Sequence, residues 1–366
     1  MTTTDLLAPL RNRAGTVRTT GLDDDTVNRL SARFPELVAA AQAAVDSLPA
    51  LESEFGDLLD LDEQAQIDAA QAGFINFYAD DAVNPYVAIA ARGPWVITLK
   101  GRVLHDSGGY GMLGFGHTPA QVLEVMARPQ VMANVMSPSL SQLRATRALR
   151  AEIGHTRGGC PYPKFLCLNS GSESVSLAGR IADVNAKIHT DAGGAHAGRT
   201  IKRLAVKGAF HGRTERPAVF SDSSRKAYVQ HLASFRNETS LITIEPYSIE
   251  QLKQAFADAD ANGWFIEAMF LERLNALKDE TGGLITKVQG TGLLFSCELD
   301  PSFKCFGAGS TEEYMREHGL GVIHGGTNSL RFTPHFGITD AEVDLMIEHV
   351  RQALLHGPRK SQAEAA

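Results

Sequence analysis

The first 80 residues carry apolar side chains at the spacing of amphipathic helices. Apolar positions between Val27 and Val45 recur every three or four residues, after an acidic run at 23–25 that suits a helix N-terminus. A second helix is predicted over 63–77. This pattern predicts an N-terminal helical extension over residues 1–80.

After residue 80 the apolar positions fall into short runs. Val87–Ala91 and Trp95–Leu99 are separated by a glycine-proline turn, and a third run begins at Val103. Short runs divided by turns are typical of a β-meander. A glycine-rich stretch and a helix over Pro119–Ala127 follow. We therefore group residues 81–140 as a meander with a glycine-rich loop.

Between residues 140 and 272, predicted helices alternate with predicted strands. The helices are Leu140–Ile153, Val175–Ile188 and Ile249–Ala261. The strands are Phe165–Leu168, Arg203–Val206, Leu241–Ile244 and Trp264–Leu271. Strands separated by helices of this length predict a mostly parallel sheet. Residues 141–272 are therefore expected to form a large α/β domain.

The remaining residues predict a small α/β domain over 273–356. Its predicted elements are a short helix over 273–278, antiparallel strands over 285–288 and 293–299, a strand over 330–333 and a helix over 340–355. Thr339 and Glu342 form the pattern of a capping box at the start of that last helix. The tail over 357–366 is expected to fray.

Composition narrows the classes of protein. The 366 residues are 43% hydrophobic and 21% charged, as in globular proteins, and the net charge is −7. That charge disfavours nucleic acid or an anionic membrane as a partner. The four cysteines lack C-x-x-C spacing, and neither a signal peptide nor an 18-residue apolar run is visible. We expect a cytoplasmic protein without a metal site.

A candidate phosphate site follows the predicted strand Phe165–Leu168. The sequence Asn169-Ser-Gly-Ser-Glu173 lies at the start of a predicted helix. A helix N-terminus with free N–H groups and nearby hydroxyls binds anions, and a glycine admits a ligand close to the backbone. Ser-x-x-Glu is also an ordinary helix cap, so this pattern alone leaves both interpretations open.

A candidate ring-binding loop follows the strand Arg203–Val206. It contains Phe210, His211 and Gly212. Ligands of open α/β sheets lie beyond the carboxyl ends of strands, where Phe210 can stack on a flat ring and His211 can hydrogen-bond beside it. The alternative is an aromatic side chain packed on the core next to a solvent-facing histidine.

Together these two motifs resemble the cofactor site of class III pyridoxal-phosphate (PLP) dependent aminotransferases, the group of ornithine and 4-aminobutyrate aminotransferases. Segment 85–106 with Gly116-His117 is similar to the family's N-terminal meander, and segment 328–342 to its C-terminal signature. The resemblance implies fold type I, PLP as cofactor, and a homodimer that moves an amino group from a small-molecule donor to a keto acid or aldehyde.

The resemblance also implies roles for individual residues. Cofactor contacts are expected at six positions, namely Ser170, Gly171, Ser172, Phe210, His211 and Gly212. Arg331 would bind the substrate carboxylate, a task suited to a planar guanidinium, and Tyr110 would also contact substrate. The alternative for Arg331 is a surface arginine at a strand edge.

The family's lysine segment is missing. Ala268-Met-Phe-Leu-Glu272 is followed directly by Arg273, whereas the family continues with the segments that carry the pyridinium aspartate and the Schiff-base lysine. Lys207 and Lys287 lack the Ser-Lys-Ala context and are expected to be solvated surface lysines. No catalytic residue is therefore assigned, and an internal deletion is expected at Glu272–Arg273. The alternatives are an impaired aminotransferase, a non-catalytic PLP- or phosphate-binding pseudoenzyme, and an internally deleted product without function.

Overall fold

The computed structural model describes residues 1–75, 82–108, 114–129, 131, 136–155, 158–267, 288–291, 294–299, 303–325, 328–335 and 338–360. The α-helices are α1 (Thr3–Leu6), α2 (Ala8–Arg11), α3 (Asp24–Ser31), α4 (Pro35–Phe55), α5 (Glu63–Gln71), α6 (Ala120–Ala127), α7 (Leu140–Gly154), α8 (Gly171–Thr190), α9 (Glu215–Ala218), α10 (Arg225–His231), α11 (Ile249–Asn262), α12 (Thr311–Glu317) and α13 (Asp340–His356). The strands are β1 (Ala88–Arg92), β2 (Trp95–Thr98), β3 (Val103–Asp106), β4 (Thr200–Val206), β5 (Leu241–Ile244), β6 (Trp264–Glu267), β7 (Val288–Thr291), β8 (Leu294–Glu298), β9 (Leu320–Gly321), β10 (Ile323–Gly325) and β11 (Ser329–Phe332).

The chain divides into two compact units. The first comprises Met1–Gln130 and Ile285–Ala366, and the second comprises Val131–Leu284. The N-terminal helices and the C-terminal strands therefore belong to one unit, and the candidate cofactor motifs belong to the other.

In the first unit the N-terminal helices pack against the meander. Strands β1, β2 and β3 are antiparallel neighbours, as the sequence predicts, and β9 extends their sheet in parallel with β3. Leu10, Leu37, Trp95 and Ile97 are fully buried in the core between helices and sheet. The burial of these side chains gives the N-terminal extension its stability.

Two of the predicted N-terminal helices have different bounds in the structure. The apolar period from Val27 to Val45 is shared by α3 and α4, because the chain leaves the helix after Ser31 and Pro35 starts a new one at its first turn. The predicted helix over 63–77 ends at Gln71.

The first unit holds a second sheet, in the order β10-β11-β8-β7, whose neighbouring strands are all antiparallel. The predicted antiparallel pair is confirmed as β7 and β8, but β7 spans Val288–Thr291, so Gly290 and Thr291 lie in the strand and not in the predicted turn. Helices α12 and α13 enclose an apolar core with β11, in which Met315, Leu330, Phe332 and Met346 are buried. The capping box between Thr339 and Glu342 is confirmed at the start of α13.

The second unit contains a parallel sheet in the order β5-β4-β6, which confirms the predicted parallel arrangement. Its sheet core includes Leu204, Ile244 and Ala255. The predicted strand Phe165–Leu168 is wrong: this segment forms no ladder with any strand that the structure describes, and Leu166 and Leu168 are exposed. An apolar run becomes a strand only when a neighbour accepts and donates its backbone hydrogen bonds.

Some expectations fall on residues outside the described ranges. They include the end of the strand predicted to Leu271, the helix over 273–278, the joint at Glu272–Arg273 and the tail over 361–366. Among the helices of the described residues, none is long and apolar enough to cross a membrane.

Candidate functional site

The N-terminus of α8 has the features of an anion site. Ser170 is the N-cap residue, and its hydroxyl accepts a hydrogen bond from the amide of Glu173 at 3.2 Å. The amides of Gly171 and Ser172 lie in the first turn, where a helix offers no acceptor of its own. A β-carbon built at Gly171 would meet no atom within 4 Å. The first turn of α8 therefore presents free N–H groups beside open space, and both suit a phosphate.

The cap differs in one detail from the predicted capping box. The carboxylate of Glu173 lies 3.4 Å from the Ser170 hydroxyl, and it does not accept the Ser170 backbone amide as a reciprocal box requires. The Ser170 hydroxyl therefore accepts from the Glu173 amide and donates to the Glu173 carboxylate. Only the bond from the amide caps the helix.

The second motif lies in the loop after β4. Gly208 has a φ of +74° and donates its amide to Asp222 Oδ2 at 2.7 Å, which turns the chain away from the sheet. The amide of His211 donates to the hydroxyl of Ser221 at 2.9 Å. The side chains of Asp222 and Ser221 therefore fix the backbone of the Phe210 loop at both ends.

Gly212 brings the two motifs together. Its φ is +113°, and a β-carbon there would collide with the Ser172 hydroxyl oxygen and lie 3.1 Å from the Ser172 β-carbon. The backbone of the second loop therefore lies directly against the first turn of α8. The two segments are forty positions apart in the sequence. This contact brings them together within the second unit.

The side chains of the second loop have different surroundings. Phe210 is 55% exposed, and the Arg213 guanidinium carbon lies 5.9 Å from its ring centroid. His211 is half-buried, and burial lowers the pKa of its imidazole. The interpretation of Phe210 as a side chain packed on the core is wrong, because more than half of it is exposed and the Arg213 guanidinium lies over its ring.

Ser221 and Asp222 are site-building residues that the sequence patterns did not indicate. Ser221 is fully buried, and its hydroxyl also lies 2.9 Å from the carbonyl oxygen of Gly212. These residues follow the motif by ten positions in a polar run, Ser221-Asp-Ser-Ser224, that resembles an ordinary loop. The one available signal is the enrichment of serine and aspartate side chains that bind nearby backbone groups in turns.

Lys207 lies at the carboxyl end of β4, three residues before Phe210. Its ammonium group is 2.6 Å from Glu245 Oε1, and both side chains are exposed. The hydrogen bond and charge of Glu245 raise the pKa of Lys207, whereas a lysine that attacks a carbonyl needs a lowered pKa. These surroundings are those of a surface lysine. Lys287 lies outside the described residues.

Arg331, the candidate carboxylate ligand, lies on β11 in the first unit. β11 is hydrogen-bonded on both sides, to β10 and to β8, so Arg331 is not at a strand edge. Its side chain is half-buried, and the Nε–H is shielded from solvent without a hydrogen-bond partner among the described residues. A buried donor without an acceptor favours an anion. Tyr110, the other candidate for substrate, lies outside the described residues.

The residues that the structure describes include no group of three histidine, cysteine or acidic side chains able to hold a metal ion.

Comparisons with known proteins give a match in fold alone. No family model matches the sequence. No curated protein matches it either.

Solved structures with a similar fold are aminotransferases. Ornithine aminotransferase from Toxoplasma gondii superposes with a TM-score of 0.57 at 15% identity, over 80% of this chain and 94% of that chain. An amine transaminase from an uncultivated Pseudomonas species, solved in its PLP-bound form, gives 0.52 at 14% identity, over 78% and 98%. Ornithine δ-aminotransferase from Plasmodium falciparum gives 0.51 at 11% identity, over 80% and 98%.

These matches show the fold. The chain has the mixed α/β architecture of fold type I PLP-dependent transferases, with a parallel sheet flanked by helices. This result agrees with the fold class that the motifs imply.

Proposed function

We propose that this chain is a PLP-binding protein of the class III aminotransferase lineage, with little or no transaminase activity. The observation that carries the proposal is the contact between Gly212 and Ser172, which joins a helix N-terminus to an exposed aromatic ring. Two segments that each fit one part of PLP, its phosphate and its pyridine ring, then line one site.

The residues of the site fit the phosphate end of PLP well. The amides of Gly171 and Ser172 would donate to the phosphate oxygens, and the hydroxyls of Ser170 and Ser172 are available at the same helix start. The open space at Gly171 gives a tetrahedral anion room to approach the backbone. The partial positive charge of the α8 N-terminus adds to the attraction.

The ring end rests on Phe210 and His211. Phe210 offers an exposed face to a flat heterocycle. Burial lowers the pKa of His211, so at neutral pH a neutral imidazole lies beside the ring and hydrogen-bonds without adding a charge. These residues orient the ring, and the loop is held in place by Ser221 and Asp222.

PLP supplies an aldehyde and an electron-withdrawing ring for amino-group transfer when a protein binds it. In such an enzyme a lysine holds and shuttles the proton of the reacting carbon, and an aspartate keeps the ring nitrogen charged. Lys207 is engaged by Glu245, and its pKa is raised. Because catalytic groups act as a unit, the remaining contacts bind the cofactor but do not replace the lost chemistry.

The remaining roles are part of the same proposal. Arg331 binds a substrate carboxylate and Tyr110 contacts substrate, in a homodimeric cytoplasmic protein whose ligands are a small amino donor and a keto acceptor. An internal deletion at Glu272–Arg273 accounts for the missing lysine segment. The supporting observations are the buried Nε–H of Arg331 and the aminotransferase fold.

A binding titration tests the proposal with a matched pair of variants. Purified protein is titrated with PLP, and with pyridoxal as the analogue that lacks phosphate, with free ligand measured after ultrafiltration. Gly171→Leu places a side chain over the first-turn amides, so PLP affinity should fall about tenfold or more. Gly73→Leu is the control, because Gly73 also has no atom within 4 Å of a built β-carbon and lies in the first unit.

We expect Gly73→Leu to bind PLP as the unmodified chain does, and pyridoxal to bind weakly to every variant. Equal PLP binding by Gly171→Leu and the unmodified chain would remove the phosphate site from the proposal. Half-transamination of added PLP by a panel of amino acids should be undetectable. Turnover that Lys207→Ala abolishes would show that Lys207 is the missing catalytic lysine after all.

A further inference from the structure

The first unit contains a groove that shares no residue with the proposed PLP site. It lies between the start of the chain, around α3, and the pair of helices α12 and α13. Its volume is about 910 Å³, and its mouth is open to solvent. Clefts of about 300–1,000 Å³ are typical of small-molecule sites. The volume is therefore sufficient for a ligand, and the charges of the walls indicate its chemistry.

One wall of the groove is basic. Arg29 lies on α3, Arg33 lies just beyond the C-terminal end of that helix, and both line the groove. Arg29 lies 3.4 Å from the hydroxyl of Thr26, and its charge also acts on Asp23 at the helix cap. Arg33 forms no ion pair with any residue in the described ranges and is exposed.

The opposite wall is acidic. Asp344 and Glu348 lie four positions apart on α13 and face the same groove. Glu348 accepts a hydrogen bond from Gln352 at 2.7 Å, whereas Asp344 forms no ion pair within the described part of the chain. The two walls carry opposite charges, and within the described ranges Arg29 and Arg33 form no salt bridge with Asp344.

The floor between the walls is apolar and aromatic. Leu22, Leu30 and Met315 are buried beneath it. The rings of Tyr314 and His318 stack at 3.9 Å between centroids and 23° between planes. The His349 ring nitrogens lie 2.9 Å and 3.0 Å from the backbone oxygens of Leu345 and His318, which ties α13 to the end of α12. This floor suits a flat or branched apolar group.

We infer that this groove binds an α-amino acid with an aromatic or apolar side chain. The carboxylate lies against Arg33 and Arg29, because a guanidinium matches a carboxylate with two parallel hydrogen bonds. The ammonium group lies against Asp344. The side chain covers Tyr314 and His318. A zwitterion fits better than a plain anion or cation because an anion leaves Asp344 without a counter-charge and a cation leaves Arg33 without one.

Calorimetric titration with L-phenylalanine tests the inference. The two comparison ligands are 3-phenylpropionate, which lacks the ammonium group, and phenethylamine, which lacks the carboxylate. Phenylalanine should bind saturably, and about tenfold or more tightly than either comparison ligand, because each lacks one charge-assisted hydrogen bond.

Two variants test the contribution of each wall separately. Arg33→Gln should weaken phenylalanine and phenylpropionate and leave phenethylamine unchanged. Asp344→Asn should weaken phenylalanine and phenethylamine and leave phenylpropionate unchanged. Arg33→Lys and Asp344→Glu keep the charges and should restore most of the binding. Arg128→Gln and Asp25→Asn are matched exposed controls outside the groove and should bind as the unmodified chain does.

Circular dichroism confirms that each variant is folded before its titration is compared. Absence of saturable phenylalanine binding at millimolar concentration would overturn the inference. Binding that Arg33→Gln and Asp344→Asn leave intact would do the same, and loss of that binding in Arg331→Gln would assign it to the proposed substrate site instead. Because these titrations contain no PLP, their outcome is independent of the proposed function.

Discussion

The two glycines of the proposed site, Gly171 and Gly212, have different structural roles. Gly212 has a φ of +113° and no room for a β-carbon, whereas Gly171 has ordinary helical surroundings and open space. The backbone thus requires a glycine at position 212 but not at position 171, where the proposed phosphate would account for it. Sequence motifs present both residues in the same way, as a glycine next to a serine or histidine.

The first prediction follows from that difference. Gly212→Ala should destabilise the second unit by about 1–3 kcal/mol, since it adds both a strained backbone and a collision with Ser172. Gly171→Ala is the matched control and should change the unfolding free energy by less than about 1 kcal/mol. Urea unfolding followed by far-ultraviolet circular dichroism measures both, and equal midpoints would contradict the collision.

The buried carboxylate of Glu342 links three parts of the first unit. Its oxygens lie 3.2 Å from His105 Nε2 on β3 and 3.0 Å from His335 Nε2, and it caps α13 through Thr339. Burial by itself raises the pKa of Glu342, but the hydrogen bonds from His105, His335 and Thr339 outweigh it and hold the pKa well below its usual value. The ionised form is therefore the one that the fold stabilises.

The second prediction is a dependence of stability on pH. A carboxyl with a lowered pKa in the folded state contributes stability above its unfolded pKa, about 4.3, and that contribution is lost as the pH falls below it. Glu342→Gln should cost about 1.5–3 kcal/mol at pH 7 and should flatten the decline in stability below pH 5. Glu250→Gln, at an exposed first-turn position of α11, is the control. Parallel acid-unfolding curves for Glu342→Gln and the unmodified chain would exclude this role.

At the scale of elements, helix caps are the features that sequence locates most reliably. Ser139, Ser170, Ser248, Ser310 and Thr339 all cap the helices that follow them. A cap depends on one side chain and on amides within three positions, so the pattern S/T-x-x-E/Q contains almost all of the information. The predicted start of α13 is correct for this reason.

The third prediction compares two of these caps. Ser170→Ala and Ser139→Ala each remove one cap in the second unit and should each lower stability by about 1 kcal/mol. Only Ser170→Ala should also weaken binding of PLP, because α8 alone starts at the proposed phosphate site. If Ser139→Ala weakens PLP binding equally, the loss reflects general destabilisation, and the α8 site is then not supported.

Strands are harder to predict than helix caps because each needs a partner from elsewhere in the chain. Arg203–Val206 and Phe165–Leu168 are both short apolar runs, but among the described residues only the first has neighbouring strands, β5 and β6, that complete its hydrogen bonds. The same argument explains why β9 and β10 were not predicted, since their two and three residues give no periodicity.

At the scale of the whole molecule, the two units differ in how much apolar surface they bury. Among the residues that the structure describes, the core beneath the meander contains fifteen buried apolar residues, whereas the core of the parallel sheet contains three. Several apolar side chains of α8 are also exposed, Ile181, Val184 and Ile188 among them. Because burial of apolar surface is the main source of stability, the second unit should open more readily.

The fourth prediction tests this difference by hydrogen exchange. Amides of β4 and β5 should exchange at least about tenfold faster than amides of β2 and β3, since a smaller buried area lowers the free energy of local opening. Mass spectrometry of peptides from both sheets measures the rates in one sample. Addition of PLP should slow exchange at the start of α8 and leave β2 unchanged. Equal protection of both sheets would contradict the comparison.

The sequence by itself determined the local features of this protein. Helix periodicity, caps, the meander and the two glycine-containing motifs depend on residues within one or two turns of each other, so composition and spacing are sufficient to locate them. The tertiary structure alone decided which distant segments meet. It brought Gly212 against Ser172, assigned the N-terminal helices and the C-terminal sheet to one unit, and left Phe165–Leu168 without a strand partner among the described residues. Contacts of this kind depend on chain topology and on the exclusion of water from a shared core, and neither is encoded at a fixed spacing along the chain.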